Sequence, residues 1–325
     1  MLEKLTSQLK KYFPWELFSN KNITQHPLLD DAEILDLQMH VKNKKITTYH
    51  KHDISHRQTG DKRSVYRGYG MDYEESRRFQ TGDDPRYMNW QLSARTGQHY
   101  IKVFQEERQA GVFIVIDRRL SMRFGTQQRL KVTQAVRAAA IAAFTAQQNN
   151  LSVAGVIIDQ ELQWFKQTQN KQAIFDFIKK SSRPVSPVFD SASTNELNFD
   201  KVLQILKEVL THSEGSYIYL ISDFHDVYEE SQPILLQLAK THHIQAIHIA
   251  DIAEIKLPYT GDIKLKSDKS NNSVSINTHS KIERERYESA FDDYLTLKKN
   301  IFQSLAIPYK EILTSNKNIE QNVVL

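Results

Sequence analysis

The sequence contains no cysteine. That excludes disulfides, cysteine-ligated zinc and a cysteine nucleophile, and it fits a reducing compartment. Glycine is scarce, 10 residues in 325. None builds a G-x-G-x-x-G turn or a G-x-x-x-x-G-K-[ST] loop, so no nucleotide is expected. No stretch approaches the roughly 18 uninterrupted apolar residues of a membrane span, and no integral membrane segment is expected. Residues 1–18 lack the apolar core of a signal peptide. A surplus of one charge sign is also missing: 43 Lys plus Arg against 39 Asp plus Glu leaves +4. Such a balance allows a local basic patch without arguing for a nucleic-acid coat. These absences together point to a cytoplasmic protein.

What is present is ordinary for a globular chain, with 40% apolar and 25% charged residues. Residues 1–45 read as short helices, with Leu2, Leu5 and Leu9 at helical spacing. Residues 46–103 carry aromatic and β-branched residues in short runs among polar ones, a β-leaning irregular segment. From residue 111 the pattern becomes regular. GVFIVID (111–117), LSVAGVIID (151–159), SYIYLISD (216–223) and IQAIHIAD (244–251) are short apolar runs of the kind buried on both faces of a sheet. Helical stretches at 127–148, 199–210 and 283–305 alternate with them. The alternation predicts an α/β domain at 109–325, a doubly wound and mostly parallel sheet flanked by helices. Residues 1–108 are then an N-terminal helical and β-leaning extension. Residues 181–198 and 258–277, rich in Ser, Pro, Asn and Lys, read as loops.

Each of the four apolar runs ends in an aspartate: Asp117, Asp159, Asp223 and Asp251. In open α/β sheets ligands bind beyond the carboxyl ends of the strands, so carboxylates placed there converge. A lone aspartate there equally caps a helix. Asp117 leads into Arg118-Arg119-Leu120-Ser121-Met122, and Asp223 into Phe224-His225-Asp226. An aspartate, a hydroxyl four residues on and a second aspartate from a neighbouring strand supply the hard oxygens that Mg²⁺ takes. This resembles the metal-ion-dependent adhesion site of von Willebrand A domains, whose first motif is Asp-x-Ser-x-Ser. The resemblance implies Asp117, Ser121 and Asp223 as ligands of Mg²⁺ or Mn²⁺, with a threonine-type ligand from near Ser193 or Thr194.

The first serine of that motif is here Arg119. A guanidinium has no acceptor and ligates no metal. At about 4 Å it would repel a divalent cation by on the order of 8 kcal/mol at an effective dielectric near 20. Two arrangements stay open: Arg119 turned outward beside a weakened metal site, or Arg119 paired with Asp117 and Asp223 in place of the ion.

A denser signature precedes the first strand. It runs Arg78-Phe79-x-x-Gly82-Asp83-Asp84-x-Arg86-x-x-Asn89-Trp90, then Ser93-Ala94-Arg95-Thr96, Glu106-Glu107-Arg108 and, past the strand, Ser121-Met122-Arg123-Phe124-Gly125. This closely resembles the domain-of-unknown-function family 58, over residues 60–310. The resemblance implies a von Willebrand A-like domain in a non-enzymatic adaptor or chaperone-like partner of a MoxR-type AAA+ ATPase and its client protein. Physically, Gly82 to Arg86 is a turn. Arg77, Arg78, Arg86 and Arg95 either pair internally with Asp83, Asp84 and Glu106 or form a partner surface. In the second case Arg78, Asp83, Asp84, Arg86, Arg95 and Arg119 contribute charge and Trp90 is the aromatic anchor.

Three other chemistries find partial support in the sequence. Ser121 as a nucleophile with His225 as base lacks the G-x-S-x-G elbow. A metal-dependent phosphoester hydrolase would rest on Asp117 and Asp223. Nucleic-acid binding would use the arginines above and residues 264–269. His242, His243 and His248 run into and along a strand, where side chains alternate faces, so they do not converge on a metal.

Overall fold

The computed structural model describes residues 27–44, 72–105, 111–126, 129–185, 197–211, 213–267 and 270–323. They fall into two compact units, residues 27–44 with 111–323 and residues 72–105. In chain order the elements are α1 (Asp31–Lys44), β1 (Asp72–Arg78), α2 (Trp90–Thr96), β2 (Tyr100–Gln105), β3 (Val112–Asp117), α3 (Lys131–Gln148), β4 (Val153–Ile158), β5 (Leu162–Thr168), α4 (Lys171–Ser181), α5 (Phe199–Val209), β6 (Tyr217–Ser222), α6 (Gln232–Thr241), β7 (His243–Ala250), α7 (Ile252–Ile255), β8 (Asp262–Ser267), β9 (Ser270–Asn277), α8 (Lys281–Gln303), β10 (Tyr309–Leu313) and α9 (Glu320–Val323).

The larger unit is built on a six-stranded sheet in the order β10-β7-β6-β3-β4-β5. All neighbours are parallel except the edge strand β5, which runs antiparallel to β4. The doubly wound, mostly parallel sheet expected from the alternation is therefore present. The four apolar runs are its interior strands. Side chains alternate between two cores, as strand geometry requires. Val112, Ile114 and Ile116 of β3 pack with α1, α3, α4 and α9, while Phe113 and Val115 pack with α5, α6 and α8. The edges β5 and β10 escape the sequence pattern because both are only partly covered: β5 has no fully buried residue, and β10 keeps Ile312 as its single one.

Helix α3 lies between the sheet and α1, and every residue from Lys131 to Ala146 is buried. Its alanines explain this: small side chains let backbone elements close in from both sides while preserving helix propensity. The expected short helices of residues 1–45 are represented by α1; residues 1–26 lie outside the described residues. Residues 258–277, expected as loop, hold the antiparallel hairpin β8–β9. Its period-2 signal, Ile263 and Leu265 against Val274 and Ile276, is diluted by the Ser, Asn and Lys between.

The smaller unit pairs β1 with β2 antiparallel, with a register shift between Tyr73 and Glu75. Helix α2 is bounded by Asn89, whose Oδ1 accepts from Leu92 N at 3.1 Å, and by Gly97 at φ 69°. A left-handed residue after the last turn is the usual glycine stop. At seven residues α2 is too short to show periodicity.

Candidate functional site

The sheet order sets the carboxyl ends of β7, β6, β3 and β4 side by side, so Asp251, Asp223, Asp117 and Asp159 share one crest. Two of them play the bland role. Asp251 caps α7 by accepting from Ala253 N at 2.9 Å and also takes the Thr314 hydroxyl at 2.5 Å. Asp159 accepts from Arg118 Nε at 3.2 Å and Arg123 Nη2 at 2.9 Å.

Asp117 is wholly buried. Its Oδ1 accepts the Arg119 backbone N–H at 2.9 Å and its Oδ2 accepts the Ser222 hydroxyl at 2.6 Å. The Arg119 side chain folds back over it. Nη2 donates to Asp117 Oδ2 at 2.8 Å and to Asp226 Oδ1 at 2.9 Å, and Nη1 donates to Asp226 Oδ2 at 2.5 Å and to the Leu197 carbonyl at 2.8 Å. The guanidinium is 2% exposed and lies 5.6 Å from the Phe199 ring centroid. Arg119 thus turns inward, and its second carboxylate is Asp226 rather than Asp223.

Asp223 has a cation of its own. Lys131 Nζ, at the head of α3, donates to Asp223 Oδ2 at 2.9 Å and to Glu254 Oε1 at 2.6 Å; the three side chains are 1%, 4% and 3% exposed. His225 Nδ1 lies 2.9 Å from Asp223 Oδ1 and 3.1 Å from Ser121 Oγ. Ser193 and Thr194 lie outside the described residues.

Asp117, Ser121 and Asp223 are therefore brought into one network, yet each already has partners from the chain. A divalent ion that wants about six oxygen ligands would have to displace a guanidinium or an ammonium. As they stand, these residues do not fit Mg²⁺ or Mn²⁺, and the described residues contain no cluster of three or more acidic or histidine side chains disposed to hold an ion. Nor is a serine relay assembled. A relay engages the two imidazole nitrogens with different partners, whereas Ser121 and Asp223 both meet Nδ1 of His225.

The electrostatics follow from burial opposed by pairing. Burial alone depresses the Arg119 and Lys131 basicities. Asp117 and Asp226 outweigh it for Arg119, Asp223 and Glu254 for Lys131, and both cations end above their ordinary values. Asp223 is held well below the carboxylate range by Lys131 and His225 against its burial, and Asp226 falls to about 2 through His225 and Arg119. Glu254 is pushed up, chiefly by burial.

Two histidines give stability a pH window. Burial disfavours the His225 cation, but Asp223 more than compensates and raises its pKa. Its contribution is complete below the unfolded value near 6.5 and is lost as pH rises through the higher folded value. Burial depresses His248, beside Tyr309, to about 3. Its contribution is present above about 6.5 and erodes as pH falls towards 3. Urea unfolding from about pH 4 to about pH 9 should show both limbs, the alkaline one flattened by His225→Asn and the acid one by His248→Gln.

In the smaller unit the two aspartates of the turn are already paired. Arg77 grips Asp83 at 2.8 and 2.6 Å, and Arg86 grips Asp84 at 2.6 Å. Asp83 also accepts Gln80 N at 2.8 Å, and Asp84 accepts Arg86 N at 3.0 Å. Arg78 and Arg95 are exposed. Trp90 is 66% exposed and Tyr87 38%. Glu106 lies outside the described residues, as do the side chains of residues 264–269.

Sequence reasoning missed Lys131, Glu254 and Ser222, and gave no role to Asp226. Lys131 gave no distinct signal, since Thr133, Gln134 and Arg137 follow it before the alanine run begins at Ala138.

The sequence profile described as "Protein of unknown function DUF58" matches residues 75–294. Among curated relatives, the uncharacterized proteins Rv1480 of Mycobacterium tuberculosis and Mb1516 of Mycobacterium bovis are each 26% identical over 211 residues, 64% of this chain and 63% of the relative. The match thus spans less than two thirds of those relatives' own length. Among solved structures, BatB from Bacteroides thetaiotaomicron is 15% identical with a TM-score of 0.40, over 66% of this chain and 97% of that one. The SpRpn10 VWA domain is 13% identical with a TM-score of 0.39, over 66% and 93%. At such scores the fold assignment rests on strand order, five parallel strands and one antiparallel edge in the von Willebrand A-like arrangement. With more than half of its length inside the family match, the chain belongs to the DUF58 family.

Proposed function

We propose that the chain is a protein-binding module, an adaptor that joins a MoxR-type AAA+ ATPase to a client protein in the cytoplasm. The observation that carries this reading is Trp90. It stands 66% exposed at the start of α2, with Tyr87 38% exposed three residues before it. A large aromatic side chain on a short, capped helix loses little conformational freedom on docking, which is why tryptophan recurs among the residues that dominate interfaces. The ion pairs Arg77–Asp83 and Arg86–Asp84 stiffen the turn that leads into α2. The crest of the larger unit supports the same reading. Asp117 and Asp223 are held by Arg119, Lys131 and His225, which leaves a metal-dependent phosphoester hydrolase built on them without free ligands. No helix among the described residues is long and apolar enough to cross a membrane.

The test is direct association. Purified chain is mixed with the MoxR-type ATPase of the same cells, with ATP present, and complex formation is followed by sedimentation or calorimetry. Association is expected. Trp90→Ala should weaken it about 10-fold or more, the loss typical of an interface anchor, while the thermal midpoint of the free chain stays unchanged. A folded chain that never associates with the folded ATPase would overturn the reading.

A further inference from the structure

We infer that Arg119 and Lys131 are permanent replacements for a divalent cation, so that the crest of the sheet is a metal-independent site with a latent metal cage beneath the Arg119 guanidinium. The inference does not depend on which partner the protein binds.

The first observation is the shape of the cage. The guanidinium is lodged among both oxygens of Asp117, both oxygens of Asp226 and the carbonyl of Leu197, at 2.5 to 3.2 Å. These five oxygens are hard acceptors of the chemical type that Mg²⁺ or Mn²⁺ takes, disposed about the three nitrogens of the fork. Here the centre is a planar fork that satisfies them by hydrogen bonds. The second observation is the charge. Arg119 and Lys131 each bring one positive charge, and together they supply the double charge of one such ion beside Asp117, Asp223, Asp226 and Glu254. The third is the support built around the fork. Ser222 donates to Asp117 at 2.6 Å, and the first amide of α5, Phe199 N, donates to Asp226 at 2.9 Å. These hold the carboxylates towards the guanidinium, and Phe199 lines it with an aromatic ring. A side chain that merely tolerated a lost ion would not be so completely enclosed.

The test begins with the wild-type chain after chelation, titrated with Mn²⁺ and Mg²⁺ by calorimetry and melted with and without EDTA. We expect no saturable heat at millimolar metal and no shift of the thermal midpoint by EDTA. Stoichiometric binding that Asp117→Asn abolishes would overturn the inference. The complementary arm is Arg119→Ser, which removes the guanidinium, leaves the oxygens and adds a hydroxyl. This variant is expected to gain saturable binding of one Mn²⁺ per chain, with a midpoint that Mn²⁺ raises. Should it fail to fold without metal, refolding in the presence of Mn²⁺ is the readout. Recovery supports the latent cage, and failure to recover, or a folded variant blind to Mn²⁺, refutes it. The wild-type arm decides the replacement of the ion in either case.

Discussion

Arg119→Met is expected to destabilise the fold by about 3–5 kcal/mol, the usual effect of leaving one member of a buried ion pair without its partner. In a unit of roughly 200 residues that lowers the thermal midpoint by on the order of 10 °C. The reasoning is specific to the contacts. Removing the fork strands two carboxylates at once, Asp117 with no exposure and Asp226 at 9%. Arg119→Lys should recover part of the loss, because an ammonium supplies the charge without the planar fork that spans both partners. Lys131→Met strands Asp223 and Glu254 in the same way. Burial already raises the Glu254 pKa, so the Lys131 variant should suffer less at pH 5 than at pH 7. Urea unfolding at the two pH values checks the pair. Losses below about 1 kcal/mol in both would mean that water reaches the crest and screens the charges.

Phe224→Ala is expected to cost about 3–5 kcal/mol as a large-to-small change in a packed core. Phe224 is fully buried and meets Phe302 at 4.8 Å, Phe199 at 5.7 Å and His248 at 6.1 Å between ring centroids. It also sits at φ 51°, a left-handed conformation in which a β-carbon costs about 1–2 kcal/mol. The strained residue is the one that turns the chain from Asp223 to Asp226, so the aromatic cage holds the loop in the shape that delivers both carboxylates. The backbone makes a sharper prediction. Phe224→Gly loses the same ring but sheds the strain, so it should be more stable than Phe224→Ala by on the order of 1 kcal/mol. Alanine normally outranks glycine. If it does so here, strain is not stored at this turn.

The fold was legible where burial is two-sided. Val112–Asp117 and Tyr217–Ser222 read as strands because every position is covered, which makes the run continuous and unmistakable. β5 and β8–β9 were not: β5 is only partly buried along its length, and the apolar residues of β8 and β9 are separated by Ser, Asn and Lys. The crest was half legible. Asp117 and Asp223 announced themselves by ending apolar runs, and Arg119 stood out as a cation in an acceptor's place. Its true partner, Asp226, was not deducible, because the choice between two aspartates three residues apart depends on the left-handed turn at Phe224. Lys131 and Glu254 lie 123 residues apart in sequence, and no local pattern ties them together.

The enclosure of α3 has a consequence for how the molecule breathes. A helix with solvent on one side frays and exchanges its amide hydrogens through local openings. α3 has the sheet on one side and α1 on the other, so its amides around residues 138–143 are expected to exchange only when the whole larger unit opens. Their exchange rate therefore reports the global unfolding equilibrium, while that of the edge strand β5 reports peripheral fraying. Because Lys131 begins this slowest element, the charges at the crest are anchored to the part of the protein that opens last.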